Sequence, residues 1–155
     1  DRTEDEWRKM FATNLDGVFH VFQAAARHMT ERSTAGDRFG RLVATSSLAS
    51  LFGTARNEHY AATKAAINAL CRALAVELAR HGVTSNAILP GWIRSDMTAR
   101  VLADETFVGA VMPRIPVRRF SEPSDFGGIP VHPLSNASSY HTADCFVIDG
   151  GYTAF

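Results

Sequence analysis

Tyr60 and Lys64 stand four residues apart, and Ser47 lies thirteen residues before Tyr60. On a helix, positions i and i+4 share a face, one turn apart. A phenol serves as a base near neutrality only if its ionisation moves down from about 10 by roughly three units, about 4 kcal/mol of differential stabilisation. A neighbouring ammonium favours the phenolate and is the natural source of that energy. Taken alone, the spacing is also that of an ordinary helix pair, so the surrounding residues must decide. Ser46-Ser47 follows the apolar run Leu42-Val43-Ala44, which places a hydroxyl at the end of a buried strand. That is the edge at which parallel sheets bind ligands. Pro90-Gly91 closes a second such run and leads into Trp92-Ile93-Arg94-Ser95, and Asp149-Gly150-Gly151 closes a third. Asn14 and Gly17 interrupt an otherwise helical pattern. Both types are poor helix formers, so something other than helix formation favours them there. No His/Cys/Asp group has metal-ligand spacing, and no metal is expected.

The elements that must position these residues follow from periodicity. Thr3 followed by Asp5, Glu6 and Trp7 reads as a helix start with acids in the first turn. Apolar residues then recur at Trp7, Met10, Phe11, Leu15, Val18, Phe19 and Phe22, a helical spacing that predicts a helix to about His28. Residues 31–37 read as a loop, and 41–46 as a strand. Residues 48–57 read as a loop. A second long helix is expected over about 58–81, stopped by Gly82, then a strand over 83–89. One or two short helices are expected within 95–115, a helix over about 122–134 weakened by Gly127, Gly128 and Pro130, and a last strand over 145–149. Helices alternating with short buried strands imply an α/β fold with a parallel sheet covered on both faces. Three strands make a small sheet, and the outer edge of the first would be apolar and unpaired, which invites aggregation of the isolated chain.

Composition excludes several classes of function. Sixteen basic and sixteen acidic residues balance, so neither nucleic acid nor an anionic membrane is an expected partner. No apolar stretch approaches the roughly 20 residues of a spanning helix, and the acidic start is unlike a signal peptide. Cys71 and Cys145 sit in apolar runs and read as buried thiols of a reducing, cytoplasmic protein. The first residue is aspartate, as in a processed or partial gene product.

Asn14, then Ser47, then Tyr60-Ala61-Ala62-Thr63-Lys64, then Asn86-Ala87-Ile88-Leu89-Pro90-Gly91, then Asp149-Gly150-Gly151 form an ordered set. In that order and at those spacings the chain resembles the short-chain dehydrogenase/reductase family, in particular its 3-oxoacyl-acyl-carrier-protein reductase-like members. The resemblance covers all 155 residues and corresponds to the C-terminal half of a usual member. It implies a partial Rossmann-like, doubly wound parallel sheet of about three strands. It implies a ketone–alcohol oxidoreductase using NAD or NADP, with a small carbonyl or alcohol substrate. Tyr60 would be the general acid/base and would also meet the cofactor, and Lys64 would favour its phenolate and hold the nicotinamide ribose. Ser47 would hydrogen-bond the substrate oxygen, and Asn14 would hold a water linking Lys64 to solvent. Pro90, Gly91 and Ile93 would shape the backbone against the nicotinamide. Ser95 would replace the family's usual threonine with its hydroxyl kept. The two long helices would build the faces of a homodimer or homotetramer.

Departures from the family pattern are equally specific. The Thr-Gly-x-x-x-Gly-x-Gly turn that cradles the pyrophosphate is lacking, as are the Asn-Asn-Ala-Gly stretch and the strand that tells NAD from NADP. Ser50 and Ala143 stand where glycine is common, and His132-Pro133 interrupts a region usually helical. A cofactor-free relic acting as a structural or assembly module is therefore a second expectation. Leu48, Ala49, Phe52, Trp92, Met97, Val101 and Met112 are candidates for an apolar substrate wall or plain core. Arg56 and Arg94 are candidates for an anionic substrate or the solvated surface. His59 is expected to point away from the site.

Overall fold

The computed structural model describes residues 2–154. Helix α1 (Glu4–Phe11) opens on a capping box, in which the Glu6 amide donates to Thr3 Oγ1 and the Thr3 amide donates to the Glu6 carboxylate at 2.9 Å. A π turn (Ala12–Asp16) joins it to α2 (Gly17–Thr34), with the Gly17 amide reaching back five residues to the Ala12 carbonyl. Such turns insert one residue into a helix and are frequent at functional sites. Asn14 and Gly17, the two poor helix formers, thus mark the interruption itself. The helix runs past the expected end near His28. Residues 31–34 are its last turn and not a loop, held by Ser33 and Thr34 hydroxyls that donate to the carbonyls of Thr30 and Glu31 and by an Arg32–Asp37 ion pair.

Strands β1 (Gly40–Thr45), β2 (Val83–Pro90) and β3 (Cys145–Ile148) form one parallel sheet in the order β1-β2-β3. Gly40 pairs with Val83, Thr45 with Ile88, and Ala87 with Cys145. Central β2 is buried from Val83 to Leu89 although it carries Thr84, Ser85 and Asn86. Buried polar groups need partners. The Asn86 amide finds two, donating to the His141 carbonyl and accepting from the Asp144 amide, each at 3.0 Å, which ties β2 to the approach of β3.

Helix α3 (Glu58–Leu78) lies across β2 and β1 and beside α2. Phe22, Leu42, Ile67, Cys71, Ala87 and Leu89 fill the layer between. Burial pushes the Cys71 thiol up to about 11, so it packs as an inert apolar group, while Cys145 is only half-buried. Gly82, in a left-handed conformation at φ +74°, turns the chain from α3 into β2. Beyond β2 come α4 (Ala99–Leu102) and α5 (Glu105–Val111), the latter capped by Asp104, whose carboxylate accepts from the Thr106 and Phe107 amides. The helix expected over 122–134 is broken. A 3₁₀ turn at Pro123–Phe126 and the single turn α6 (Val131–Leu134) replace it, because Gly127, Gly128 and Pro130 cannot sustain a helix between them. On β1, Leu42 and Ala44 face the α2–α3 layer, whereas Arg41 turns to the other side and donates to the Ser135 carbonyl just beyond α6. Central β2 is therefore buried on both faces, while β1 and β3 are only partly covered, in the layered arrangement of a doubly wound α/β fold. Among the described residues no helix is long and apolar enough to cross a membrane.

Ala143 sits at φ +65°, where L side chains are strained. Its amide donates to the Ser85 carbonyl at 2.8 Å, which holds it there. Ala143→Gly is expected to raise stability by about 0.5–1 kcal/mol, the strain removed less the added chain entropy of glycine. A higher urea midpoint at unchanged slope would register the gain. A lower midpoint would mean that the methyl group makes a contact worth more than the strain.

Candidate active site

The first turns of α3 and the end of β1 are clasped reciprocally. Lys64 Nζ donates to the Thr45 carbonyl at 2.9 Å, and the buried Ser46 hydroxyl donates to the Lys64 carbonyl at 2.9 Å. The Ser46 amide also continues the β1–β2 ladder to the Ile88 carbonyl at 2.8 Å. Ser47 therefore leaves the sheet at its carboxyl edge, in extended conformation, and caps a 3₁₀ turn (Leu48–Ser50). Ser47 Oγ accepts from the Ala49 amide at 3.1 Å, which leaves its own proton free. The Lys64 ammonium is half-buried, and desolvation pushes its pKa down. It lies 5.6 Å from the centre of the Tyr60 ring. An ammonium has three protons, and one of them meets a described partner, Thr45.

Asn14 reaches the same place from the π turn. Its Nδ2 donates to Thr63 Oγ1 at 3.2 Å and contacts Met10 Sδ at 3.0 Å. Thr63 is fully buried and donates to the Tyr60 carbonyl at 2.8 Å, so Asn14 and Tyr60 share one intermediary. Thr63 and the Thr45 carbonyl are structural parts of the candidate site that sequence reasoning did not single out, and Ser46, expected only as a strand-end serine beside Ser47, adds the bond to α3. A signal existed for Thr63 alone, since a hydroxyl within a helix commonly bonds back to a carbonyl one turn earlier.

The second wall of the edge comes from β2. The Gly91 amide donates to the Ile148 carbonyl at 2.9 Å, and a Cβ on Gly91 would lie 2.8 Å from Asp149 Cα. Asp149 Oδ1 accepts from the Gly151 amide at 2.8 Å, and Oδ2 from the Thr153 amide and hydroxyl, each at 2.7 Å. Burial opposes ionisation of Asp149, but these bonds outweigh it and hold its pKa below the usual carboxylate range. After Pro90-Gly91 the chain is fastened by its carbonyls. Ile93 O accepts from Thr98 Oγ1, and Trp92 O accepts from the Ser121 amide at 2.9 Å. The Ile93 amide has no partner among the described residues. The exposed Ser95 hydroxyl turns to Thr98 Oγ1 at 3.2 Å. Asn14, Ser47, Tyr60 and Lys64, with Pro90, Gly91, Ile93 and Ser95, are thus delivered to one end of the sheet. His59 is buried instead.

The candidate wall residues divide. Leu48 is core, and Trp92 packs edge-on against Phe107 at 4.9 Å and, with Met112, against the core. Phe52 and Met97 are exposed, with Phe52 5.8 Å from Tyr152 between ring centres. Arg94 forms an exposed ion pair with Glu122 at 3.2 Å, the surface role of the two expected for it.

The strand-like contact of Ser121 with Ile93 is braced by Arg119, whose guanidinium bonds both Asp125 oxygens, at 2.6 and 2.9 Å. That guanidinium, with the Glu122 amide, lowers the Asp125 pKa to about 2. A depressed carboxylate pKa contributes stability that is present above the ordinary value of 3.8 and is lost as pH falls toward about 2. A carbon-13 titration of the Asp125 carboxyl is expected to show a midpoint near 2; one near 3.8 would mean that the pair does not persist in solution.

A family model described as enoyl-(acyl carrier protein) reductase matches residues 1–153. The chain belongs to the short-chain dehydrogenase/reductase family. It is 36% identical over 148 residues to 5-keto-D-gluconate 5-reductase of Escherichia coli strain K12, covering 96% of this chain and 56% of that protein. It is 32% identical over 151 residues to a 3-oxoacyl-[acyl-carrier-protein] reductase of Chlamydia pneumoniae, covering 97% and 58%. A crystal structure of gluconate 5-dehydrogenase from Burkholderia cenocepacia, in complex with NADP and tartrate, superposes with a TM-score of 0.93 at 29% identity, covering 99% of this chain and 58% of that one. The chain therefore spans a little over half the length of these relatives.

Proposed function

We propose that the chain is the catalytic, C-terminal half of an NAD(P)-dependent oxidoreductase that interconverts a ketone and a secondary alcohol. The observation that carries this reading is the clasp between β1 and α3, which brings the Ser47 hydroxyl to the same sheet edge as Tyr60 and Lys64. The groups left over at that edge fit a nicotinamide ribose. Two Lys64 protons and the Ile93 amide are donors without described protein partners, suited to ribose hydroxyls and a carboxamide oxygen. When bound, the nicotinamide would supply or accept the hydride.

The chain's own residues supply the rest. Ser47, with one lone pair engaged by the Ala49 amide, donates its proton to the substrate oxygen and stabilises charge there. Tyr60 Oη gives a proton to that oxygen in reduction and takes it back in oxidation. The Lys64 ammonium favours the phenolate through its charge. Asn14 holds the first turn of α3 through Thr63 and carries the water that returns the proton to solvent. The relatives' names indicate keto sugar acids and 3-oxoacyl thioesters as substrate classes to try first. A groove of about 440 Å³ between α2 and α3, lined by Phe19, Phe22, Leu70 and Leu74, fits pairing with a second copy through the two long helices.

The test is to express the chain together with its upstream coding sequence and follow NADPH or NADH oxidation with a keto sugar acid and a 3-oxoacyl thioester. Turnover of either class is expected. Failure to bind either nucleotide would overturn the reading.

A further inference from the structure

Ser50 stands where the family commonly has glycine, and its hydroxyl both donates and accepts. Ser50 Oγ lies 2.6 Å from the Ser47 carbonyl and 2.8 Å from Asn68 Nδ2. A carbonyl only accepts, so the single Ser50 proton goes to Ser47, and the oxygen must accept from Asn68. This settles the orientation of the Asn68 amide. Asn68 lies on α3, one helical turn beyond Lys64, and is 4% exposed. Its Oδ1 is buried without a hydrogen-bond partner among the described residues. An unpaired buried acceptor costs stability, so an apolar residue of similar shape would serve folding better at this position. What the amide adds is the link to Ser50.

We propose that Ser50 and Asn68 are positioning residues for Ser47, fastening the turn that carries it to the helix that carries Tyr60 and Lys64; the proposal rests on the catalytic roles given above. The Lys64–Thr45 and Ser46–Lys64 bonds hold the chain just before Ser47. The Asn68–Ser50–Ser47 link holds it just after. Ser47 is thereby bracketed on both sides against one rigid helix, which sets its hydroxyl relative to Tyr60. In the common glycine form of this turn the second bracket does not exist. Reacting groups misplaced by about 1 Å can lose about 100-fold in rate, and loosening one of two brackets is expected to cost about tenfold.

The test uses the protein with its upstream sequence and compares Ser50→Ala, Asn68→Leu, their double variant and Ser50→Thr, which keeps the hydroxyl. Each of the first two is expected to lower kcat about tenfold with the cofactor KM within about twofold, because the link touches the turn and not the nucleotide side. The double variant is expected to be no worse than either single one, since both remove the same link. Ser50→Thr is expected to retain activity, and Asn68→Leu to melt no lower than wild type. Amide exchange at Ser50 and Leu51, whose N–H groups close the turn onto Ser47 and Leu48, is expected to quicken about tenfold in both single variants while α3 amides hold. Unchanged kcat in both single variants of an active protein, or additive losses in the double variant, would overturn the proposal. Exchange reads the link without turnover. A wild-type protein that reduces nothing defeats the catalytic assignment alone, and unchanged exchange at Ser50 and Leu51 in Asn68→Leu then defeats the positioning link as well.

Discussion

Tyr60→Phe in the whole protein is expected to lower kcat by about 10²–10⁴-fold, the usual worth of a positioned general acid/base, with nucleotide affinity within about twofold of wild type. The substitution removes one oxygen and leaves the ring. Everything that holds α3 at the site lies outside that oxygen: Lys64 Nζ on the Thr45 carbonyl, Ser46 on the Lys64 carbonyl, Thr63 on the residue-60 carbonyl, and Asn14 on Thr63. The variant therefore keeps the site's shape and loses a proton donor and acceptor. Steady-state rates together with a fluorescence titration of NADPH separate the two effects. An equal fall in kcat and kcat/KM marks an interaction made only in the transition state. Full activity would remove Tyr60 from the mechanism, and lost nucleotide binding would show that the hydroxyl holds the ribose and not the substrate proton.

Much of the candidate site was legible because its landmarks break local rules. Asn14 and Gly17 are wrong for the middle of a helix, and the structure places them at a π turn where the α-helical ladder is interrupted. Gly91 follows a strand end that must pass close to Asp149. Residues that obey local rules were silent. Ser46 reads as a strand-end serine, yet its hydroxyl closes the clasp onto α3 through a partner eighteen residues away. Ser50 and Asn68 are likewise joined only by tertiary contact. The element boundaries that moved did so for similar reasons. Residues 31–34 look like a polar loop because that turn of α2 faces solvent, and its hydroxyls satisfy carbonyls locally. Residues 122–134 carry enough apolar character to suggest a helix, but two glycines and a proline divide it into separate turns.

Gly91→Ala is expected to lower stability by about 2–3 kcal/mol, at the upper end of typical overpacking costs, and to weaken nucleotide binding at the same time. The added carbon would lie 2.8 Å from Asp149 Cα and 2.9 Å from Asp149 Cβ, closer than real side chains approach. The obstacle is main chain, so no rotamer change relieves it. Asp149 cannot retreat either, because its carboxylate is held by Gly151 and Thr153 and its strand is paired with β2 through Pro90 and Ile148. The strain must then go into Gly91-Trp92-Ile93, which moves the Ile93 amide, without a partner among the described residues, away from the side proposed for the nicotinamide. Gly53→Ala is the matched control, since nothing lies within 4 Å of a Cβ there, and it should stay within about 0.5 kcal/mol of wild type. Urea midpoints and NADPH titrations on the two variants decide the matter. Equal stability would mean that the β2 and β3 ends part easily, and a destabilised Gly91→Ala with unchanged NADPH affinity would show that Ile93 does not meet the cofactor.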